Sequence, residues 1–151
     1  LDAEVLDDAI CSLTGAIRSF GSTAPEPYSF LPPARKSILV EDGSIASSFL
    51  LLFGRPSRDT GLMEERNNSI TAKQRLYLYN SSRLWRNLGK MVERPEFKGL
   101  SHKEQIEELY MRFLSRPPVK DEIFYLDQKN NINPRDVAWY ILNSREFLYR
   151  I

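Results

Sequence analysis

Signals for the start of a helix recur through the second half of this 151-residue chain. Thr71-Ala72-Lys73-Gln74 and Ser101-His102-Lys103-Glu104 have capping-box spacing, in which a hydroxyl and an amide or carboxylate satisfy two backbone N–H groups. Pro118 and Pro134 suit the first turn of a helix, where a missing N–H costs nothing. No two segments carry the alternation expected of paired strands. The sequence therefore predicts an all-α fold.

Apolar residues at helical spacing support this fold class. Leu6, Ile10 and neighbouring aliphatic residues form one stripe near the start, and Gly15 is a suitable helix stop. The other positions of that helix carry four acidic residues, Asp2, Glu4, Asp7 and Asp8. These carboxylates lie toward the N-terminus, where they complement the helix dipole. They are predicted to form its polar face.

We predict an irregular bundle of six or seven short helices in a single domain, residues 1–151. Prolines interrupt the helical pattern between Gly21 and Gly43, which predicts a long extended connection. Residues 37–40 could form a strand, but no second strand is available to pair with it. A buried helix capped by Ser44 is predicted at residues 45–53, and Pro95 is predicted to end a later helix.

Composition excludes several classes of function. The 21 basic and 20 acidic residues nearly cancel, so nothing indicates a nucleic-acid partner. Cys11 and His102 are the sole cysteine and histidine, which excludes an internal disulfide and a zinc site made of such ligands. No apolar run is long enough to span a bilayer. We therefore expect no metal, no cofactor and no membrane insertion.

The segment from Phe53 to Asn80 concentrates the unusual polar residues of the chain. The predicted cluster consists of Arg55, Arg58, Glu65, Arg66, Ser69, Thr71, Gln74 and Asn80. One interpretation is structural, with the arginines pairing with Glu65 and with helix ends to hold an irregular loop against the core. Another is functional, with the arginines converging on an anionic group and Glu65 acting as acid or base. A ligand or partner surface is the third.

Motifs of known enzymes are missing from the sequence. It contains no glycine-rich phosphate loop, no His-Glu-x-x-His and no nucleophile elbow. Adjacent carboxylates such as Glu64 and Glu65 do not face one cleft, so they do not indicate a hydrolase pair. We accordingly assign no catalytic residue.

Four segments carry a resemblance to a known family. They are LDAEVLDDAI at the start, FGRP with the Glu65-Arg66, Ser69, Thr71 and Gln74 pattern, EELYMRFLSRPP followed by Glu122, and ILNSREFLY near the end. Together they resemble the bacterial domain-of-unknown-function family 1553. The resemblance transfers no activity.

The resemblance implies a context for the chain. Members of this planctomycete-type family form the C-terminal part of large exported proteins, located in the periplasm, cell envelope or outside the cell. Other domains precede them, often including a cytochrome-c-like domain. Because the chain begins at Leu1 without a methionine or signal-like segment, we expect it to be an excised C-terminal domain. Its expected partners are the upstream domains of its own polypeptide.

Many members have a Cys-Glu-Cys-Glu-Arg run where this chain has Leu62-Met63-Glu64-Glu65-Arg66. Since both cysteines are missing here, any metal, thiol or haem role that they serve elsewhere does not carry over. This agrees with the expectation of no cofactor.

The function predicted from the sequence is a monomeric, non-catalytic scaffolding or docking module. The alternative is a ligand-binding or enzymatic domain that uses the arginine–glutamate cluster. One version of this alternative is a domain that acts on carbohydrate. Geometry discriminates between them. Side chains that satisfy one another in a closed network favour the structural role, whereas arginines directed into an open pocket favour a ligand.

Overall fold

The computed structural model describes residues 1–21, 34–40, 45, 47–55, 69, 71–128 and 132–149. Within these residues the chain forms nine α-helices, one 3₁₀ turn and no β-sheet, which confirms the predicted all-α fold. The helices are α1 Ala3–Thr14, α2 Ser48–Leu52, α3 Ala72–Asn80, α4 Ser82–Val92, α5 Pro95–Lys98, α6 His102–Leu114, α7 Lys120–Gln128, α8 Pro134–Leu142 and α9 Arg145–Tyr149. Their number exceeds the predicted six or seven. Backbone contacts group them into two compact units, Leu1–Asn80 and Ser81–Ile151.

The first unit is built around α1. Gly15 ends this helix in the left-handed conformation with φ 63°, as its position predicts. The helix packs against α2 and against a 3₁₀ turn at Ser37–Leu39, where the sequence left open a strand. Ser47 caps α2 by accepting a hydrogen bond from the amide of Leu50, whereas the predicted cap, Ser44, lies outside the described residues.

Aromatic rings join α2 to α3 in the first unit. Phe49 stacks on Phe53 with 4.5 Å between ring centroids and meets the edge of Tyr77 at 5.6 Å. Phe49 is almost fully buried. Because such pairs add to the free energy of area burial, these rings hold α3 close to the end of α2.

The second unit is organised by the packing of α6 against α8, with α4 and α9 also contacting α8. The fully buried side chains of its core are aliphatic and include Leu88, Leu109, Ala138 and Leu142. The capping box at Ser101 is present, and Asn133 caps α8 with Pro134 at its start, as predicted. Within the described ranges, no helix combines the length and apolar character needed to cross a bilayer.

Two helix starts differ from the sequence expectation. Pro95 follows the end of α4 but also begins α5, a helix of four residues, because proline is well suited to a first turn. α7 begins at Lys120 and not at Pro118. Glu122 accepts a hydrogen bond from the amide of Val119, which satisfies one N–H at this start.

Candidate functional site

The acidic face of α1 is turned toward the protein interior. Glu4 is 5% exposed and Asp7 is 0% exposed, although their positions on the polar side of the helix predict exposure. Asp7 accepts hydrogen bonds from the guanidinium of Arg18 and, at 2.6 Å, from the hydroxyl of Ser37. A buried carboxylate is stable only when it is paired in this way. The predicted polar face of α1 is therefore partly buried in the folded chain.

Arg18 and Arg55 supply the positive charge for these carboxylates. The Nε atom of Arg55 lies 3.5 Å from Oε1 of Glu4, and its Nη2 atom donates to the carbonyl oxygen of Val40 at 2.6 Å. The guanidinium of Arg18 pairs with Asp7 and lies 5.0 Å from the ring centroid of Phe49. Both arginine side chains are largely buried. We call Glu4, Asp7, Arg18, Ser37 and Arg55 the buried charge cluster.

Asp8 connects α1 to the same region through backbone groups. Its carboxylate accepts hydrogen bonds from the amides of Ser37 at 2.6 Å and Ile38 at 3.0 Å. These are the first amides of the 3₁₀ turn, which would otherwise lack a partner. Asp7 and Asp8 therefore fix the start of the 3₁₀ turn against α1.

The predicted polar cluster is divided by the structure. Thr71 and Gln74 form the predicted capping box, with the Thr71 amide donating to Oε1 of Gln74 at 3.0 Å and the Gln74 amide donating to Oγ1 of Thr71 at 3.3 Å. Gln74 also donates to the carbonyl oxygen of Leu52 at 3.0 Å, which ties α3 to α2. Ser69 and Asn80 are exposed. Their inclusion in one site with Arg55 therefore stays a prediction.

Three members of the predicted cluster, Arg58, Glu65 and Arg66, lie outside the described residues. The hypothesis that they anchor an irregular loop, and its functional alternative, stay predictions. The described arginine of the set, Arg55, is held by Glu4 of α1 and by a backbone carbonyl.

A second ionic group lies in the other unit. Ser115 ends α6 with φ 56°, and Arg116 follows it. The guanidinium of Arg116 donates to both oxygens of Glu122 at 2.9 Å and to both oxygens of Glu146 at 2.7 Å. It also lies 5.5 Å from the ring centroid of Tyr110. We call Tyr110, Arg116, Glu122 and Glu146 the Arg116 cluster.

The Arg116 cluster shifts the pKa of each of its ionisable groups. Hydrogen bonds from Arg116 hold the pKa values of Glu122 and Glu146 below their usual range. The same bonds, that of Glu146 first, raise the pKa of Arg116. Burial, with a smaller effect from the charge on Glu122, raises the pKa of Tyr110 to about 12. The tyrosine is neutral and the carboxylates are charged at neutral pH.

A pocket of about 400 Å³ lies beside this cluster. Its described lining residues are Tyr110, Glu122, Tyr125, Leu126, Ile132, Asp136, Val137 and Tyr140. Tyr125 is 69% exposed and Tyr140 is 67% exposed, so their rings stand at the mouth of the pocket and not in the core. A bond between Nε2 of His102 and the carbonyl oxygen of Ile132, at 2.8 Å, fixes the chain that enters α8. His102 is half-buried.

Sequence reasoning missed the Arg116 cluster and its pocket. The signal was present, because Tyr110, Arg116 and Glu122 belong to the EELYMRFLSRPP segment and its following glutamate, and Glu146 belongs to ILNSREFLY. In the sequence these segments carry the family resemblance, and no site is predicted in them. The sequence does not reveal that Glu146, which is 30 positions after Arg116, shares the guanidinium of Arg116 with Glu122.

The buried charge cluster was also missed, apart from Arg55. No metal site accompanies either cluster, since no group of three or more His, Cys, Asp or Glu side chains in the described ranges could hold an ion. Each carboxylate of the two clusters instead has an arginine or backbone partner.

The fold and these clusters define a class of protein: an all-α chain with one cluster of arginine and carboxylate side chains in each of its two units. Residues 1–128 match the family model PSD1, described as protein of unknown function (DUF1553), and the chain belongs to this family. The resemblance seen in the sequence is thereby confirmed. No curated protein and no solved structure matches the chain.

Proposed function

We propose that this chain is a non-catalytic helical module that scaffolds or docks within a larger exported protein. The observation that carries the proposal is that both arginines of the buried charge cluster are paired with carboxylates of α1. The guanidinium of Arg55 contacts Glu4 and Val40, and that of Arg18 contacts Asp7 and Phe49. Because both guanidinium groups are largely buried and their charges are paired with internal carboxylates, they are unsuited to holding an anionic substrate.

The surface of the second unit supports a docking role. Phe124, Tyr125 and Tyr140 are each more than half exposed, and they make no contribution to the aliphatic core. Tyrosine and phenylalanine are enriched in the buried centres of protein interfaces. The upstream domains of the same polypeptide, including a cytochrome-c-like domain, are the proposed partners. Export of the parent protein is part of the same proposal and rests on the family resemblance.

Hydrogen exchange tests the docking role. The full-length parent and the isolated chain are compared under identical conditions, and amide protection is mapped along the helices. We expect α7 and the start of α8 to exchange more slowly in the parent, because an interface protects the surface that it covers. The fully buried amides around Leu109 provide the internal control, since they are protected in both forms. Identical exchange along the whole chain in both forms would refute the docking role.

A further inference from the structure

We propose that the pocket beside the Arg116 cluster binds the side chain of a lysine or arginine on a partner protein segment. This inference rests on the docking role proposed above and names the chemistry of the partner. The pocket is formed by α6, α7 and α8, with Tyr110, Tyr125 and Tyr140 contributed by one helix each. Its volume of about 400 Å³ lies within the range of pockets that take small organic groups.

The tyrosine rings that line the pocket are suited to binding a cation. Aromatic faces attract an ammonium or guanidinium group placed within about 6 Å of the ring centre. Three tyrosines line the pocket, and two of them are open to solvent at its mouth. The helices that carry Tyr110 and Tyr140, α6 and α8, contact each other through a buried core, and α7 is tied to the end of α6 by the ion pair between Arg116 and Glu122.

The apolar part of the lining suits the stem of such a side chain. Leu126, Ile132 and Val137 line the same pocket. Lysine and arginine carry three or four methylene groups below the charged head, and these groups favour apolar surroundings while the head remains near polar groups. A compact inorganic cation would leave this apolar surface unused.

The charge of the lining selects for a positive ligand. Among its described residues are two carboxylates, Glu122 and Asp136, and no lysine, arginine or histidine. Arg116 neutralises one carboxylate but is shared by two, Glu122 and Glu146, so one negative charge is left over. The carboxylate of Asp136 has no hydrogen bond or ion pair within the described residues. A cation is attracted to this pocket, and a phosphate or carboxylate ligand is repelled.

A protein segment fits this site better than a free amine. The exposed rings of Phe124, Tyr125 and Tyr140 extend the apolar surface beyond the pocket, and a side chain that enters it would bring its own backbone across them. A neutral sugar could stack on the same rings, but it would not depend on the charge of Asp136. This difference separates the two occupants by experiment.

The test is a titration of the 151-residue chain with two acetylated, amidated peptides, monitored by amide NMR spectra. One peptide is Gly-Gly-Lys-Gly-Gly, and the other has norleucine in place of the lysine. The two ligands share an aliphatic stem and differ in charge. We expect the lysine peptide to shift amides around the pocket with a Kd of about 1 mM. The norleucine peptide should bind at least about fivefold more weakly, because it lacks the ammonium group.

Matched variants locate the charge that acts on the ligand. Asp136→Asn should weaken lysine-peptide binding by about threefold to tenfold. Asp121→Asn is the control, because Asp121 also stands in the first turn of its helix and is exposed but does not line the pocket. It should leave binding unchanged. Tyr140→Ala should abolish the shifts, because the Tyr140 ring lines the pocket and is exposed at its mouth.

Several outcomes would overturn the inference: equal binding of both peptides, equal weakening by Asp136→Asn and Asp121→Asn, or no shifts at about 10 mM lysine peptide. Binding of cellobiose that is insensitive to Asp136→Asn and stronger than that of the lysine peptide would assign the rings to a sugar. Failure of the docking role is seen separately. Unchanged exchange in the parent would refute docking, whereas protection of α7 without lysine-peptide binding would refute the pocket assignment alone.

Discussion

Each of the two compact units joins arginine to carboxylate, but at different depths from solvent. In the first, Asp7 is completely buried and Arg18 nearly so. In the second, Arg116 keeps 30% of its side chain exposed while it binds two glutamates. The geometry of Arg116 is the better of the two, since four N–H groups meet four oxygens. The free energy nevertheless depends on burial more than on geometry.

This difference follows from desolvation. Removing one partner of a buried pair leaves a charge without water and without a counter-ion, at a cost of roughly 3–5 kcal/mol. A partly exposed pair contributes about 1 kcal/mol or less, because water replaces the lost partner. We conclude that the loss of one partner destabilises the first unit more than the second, whereas the Arg116 cluster mainly positions α7 and α9 and sets the charge of the pocket.

The largest effect is expected for Asp7→Ala. It leaves Arg18 and the hydroxyl of Ser37 buried without their acceptor, so the free energy of unfolding should fall by about 3–5 kcal/mol. Urea unfolding followed by circular dichroism measures this loss. Tryptophan fluorescence reports on the other unit, because Trp85 and Trp139 both lie there.

Asp2→Ala is the matched control on the same helix. Asp2 is exposed and makes no side-chain capping bond, so its removal should change stability by less than about 0.5 kcal/mol. Equal losses for Asp2→Ala and Asp7→Ala would show that burial does not distinguish the two positions, and the comparison between the units would fail.

The second prediction concerns Tyr110 at alkaline pH. Burial raises its folded-state pKa to about 12, above the ordinary value of about 10. The protonated tyrosine is favoured in the folded state, so it contributes stability at pH values below the ordinary tyrosine pKa. This stability is lost as the pH rises through the folded-state pKa. Wild-type stability should therefore decline between about pH 10 and about 12 by about 2 kcal/mol more than that of Tyr110→Phe. Chemical denaturation at a series of pH values measures the difference, and parallel pH profiles would contradict it.

An intermediate effect is expected for Gln74→Ala in the first unit. This change removes the amide that binds the Thr71 backbone and the carbonyl oxygen of Leu52. The loss should be about 1 kcal/mol, smaller than that of Asp7→Ala because no charge is left unpaired. Lys73→Ala, at the exposed neighbouring position, is the control in thermal melts. A loss as large as that of Asp7→Ala would mean that neutral links matter as much as charged ones.

The smallest effect is expected for acid pH at the Arg116 cluster. Pairing with Arg116 lowers the folded-state pKa values of Glu122 and Glu146. Their pairing therefore contributes stability at pH values above the ordinary glutamate pKa of about 4.3. This contribution is lost as the pH falls through the folded-state pKa values. Arg116→Gln should remove this contribution and flatten the stability profile below about pH 4, by under about 1 kcal/mol per pair.

Arg112→Gln supplies the comparison, because Arg112 forms an exposed pair with Glu108 on α6 and lies outside the cluster. Its acid profile should follow that of the wild type. If Arg116→Gln instead lowers the free energy of unfolding by several kcal/mol at neutral pH, the Arg116 cluster stabilises the second unit as much as the buried charge cluster stabilises the first.

Local sequence determined most of the helices. Capping boxes at Thr71 and Ser101, Gly15 as a helix stop and Pro134 as a helix start are all present where the sequence predicts them. Each signal acts within a few residues, through the backbone groups that every helix end must satisfy. The pattern of apolar residues likewise predicts the buried side of α6, from Ile106 to Phe113.

Tertiary structure alone decided which carboxylates are buried. On α1, Asp2 and Asp7 are the same residue type, yet one is exposed and the other has no exposure. Asp7 meets Ser37, and Arg116 meets Glu146, each across a separation of 30 residues that no local pattern encodes. A helical period distinguishes apolar from polar faces, but a polar face packs inward when distant groups compensate its charge. That compensation is a property of the folded chain, so the sequence read locally could predict the helices but not the two clusters.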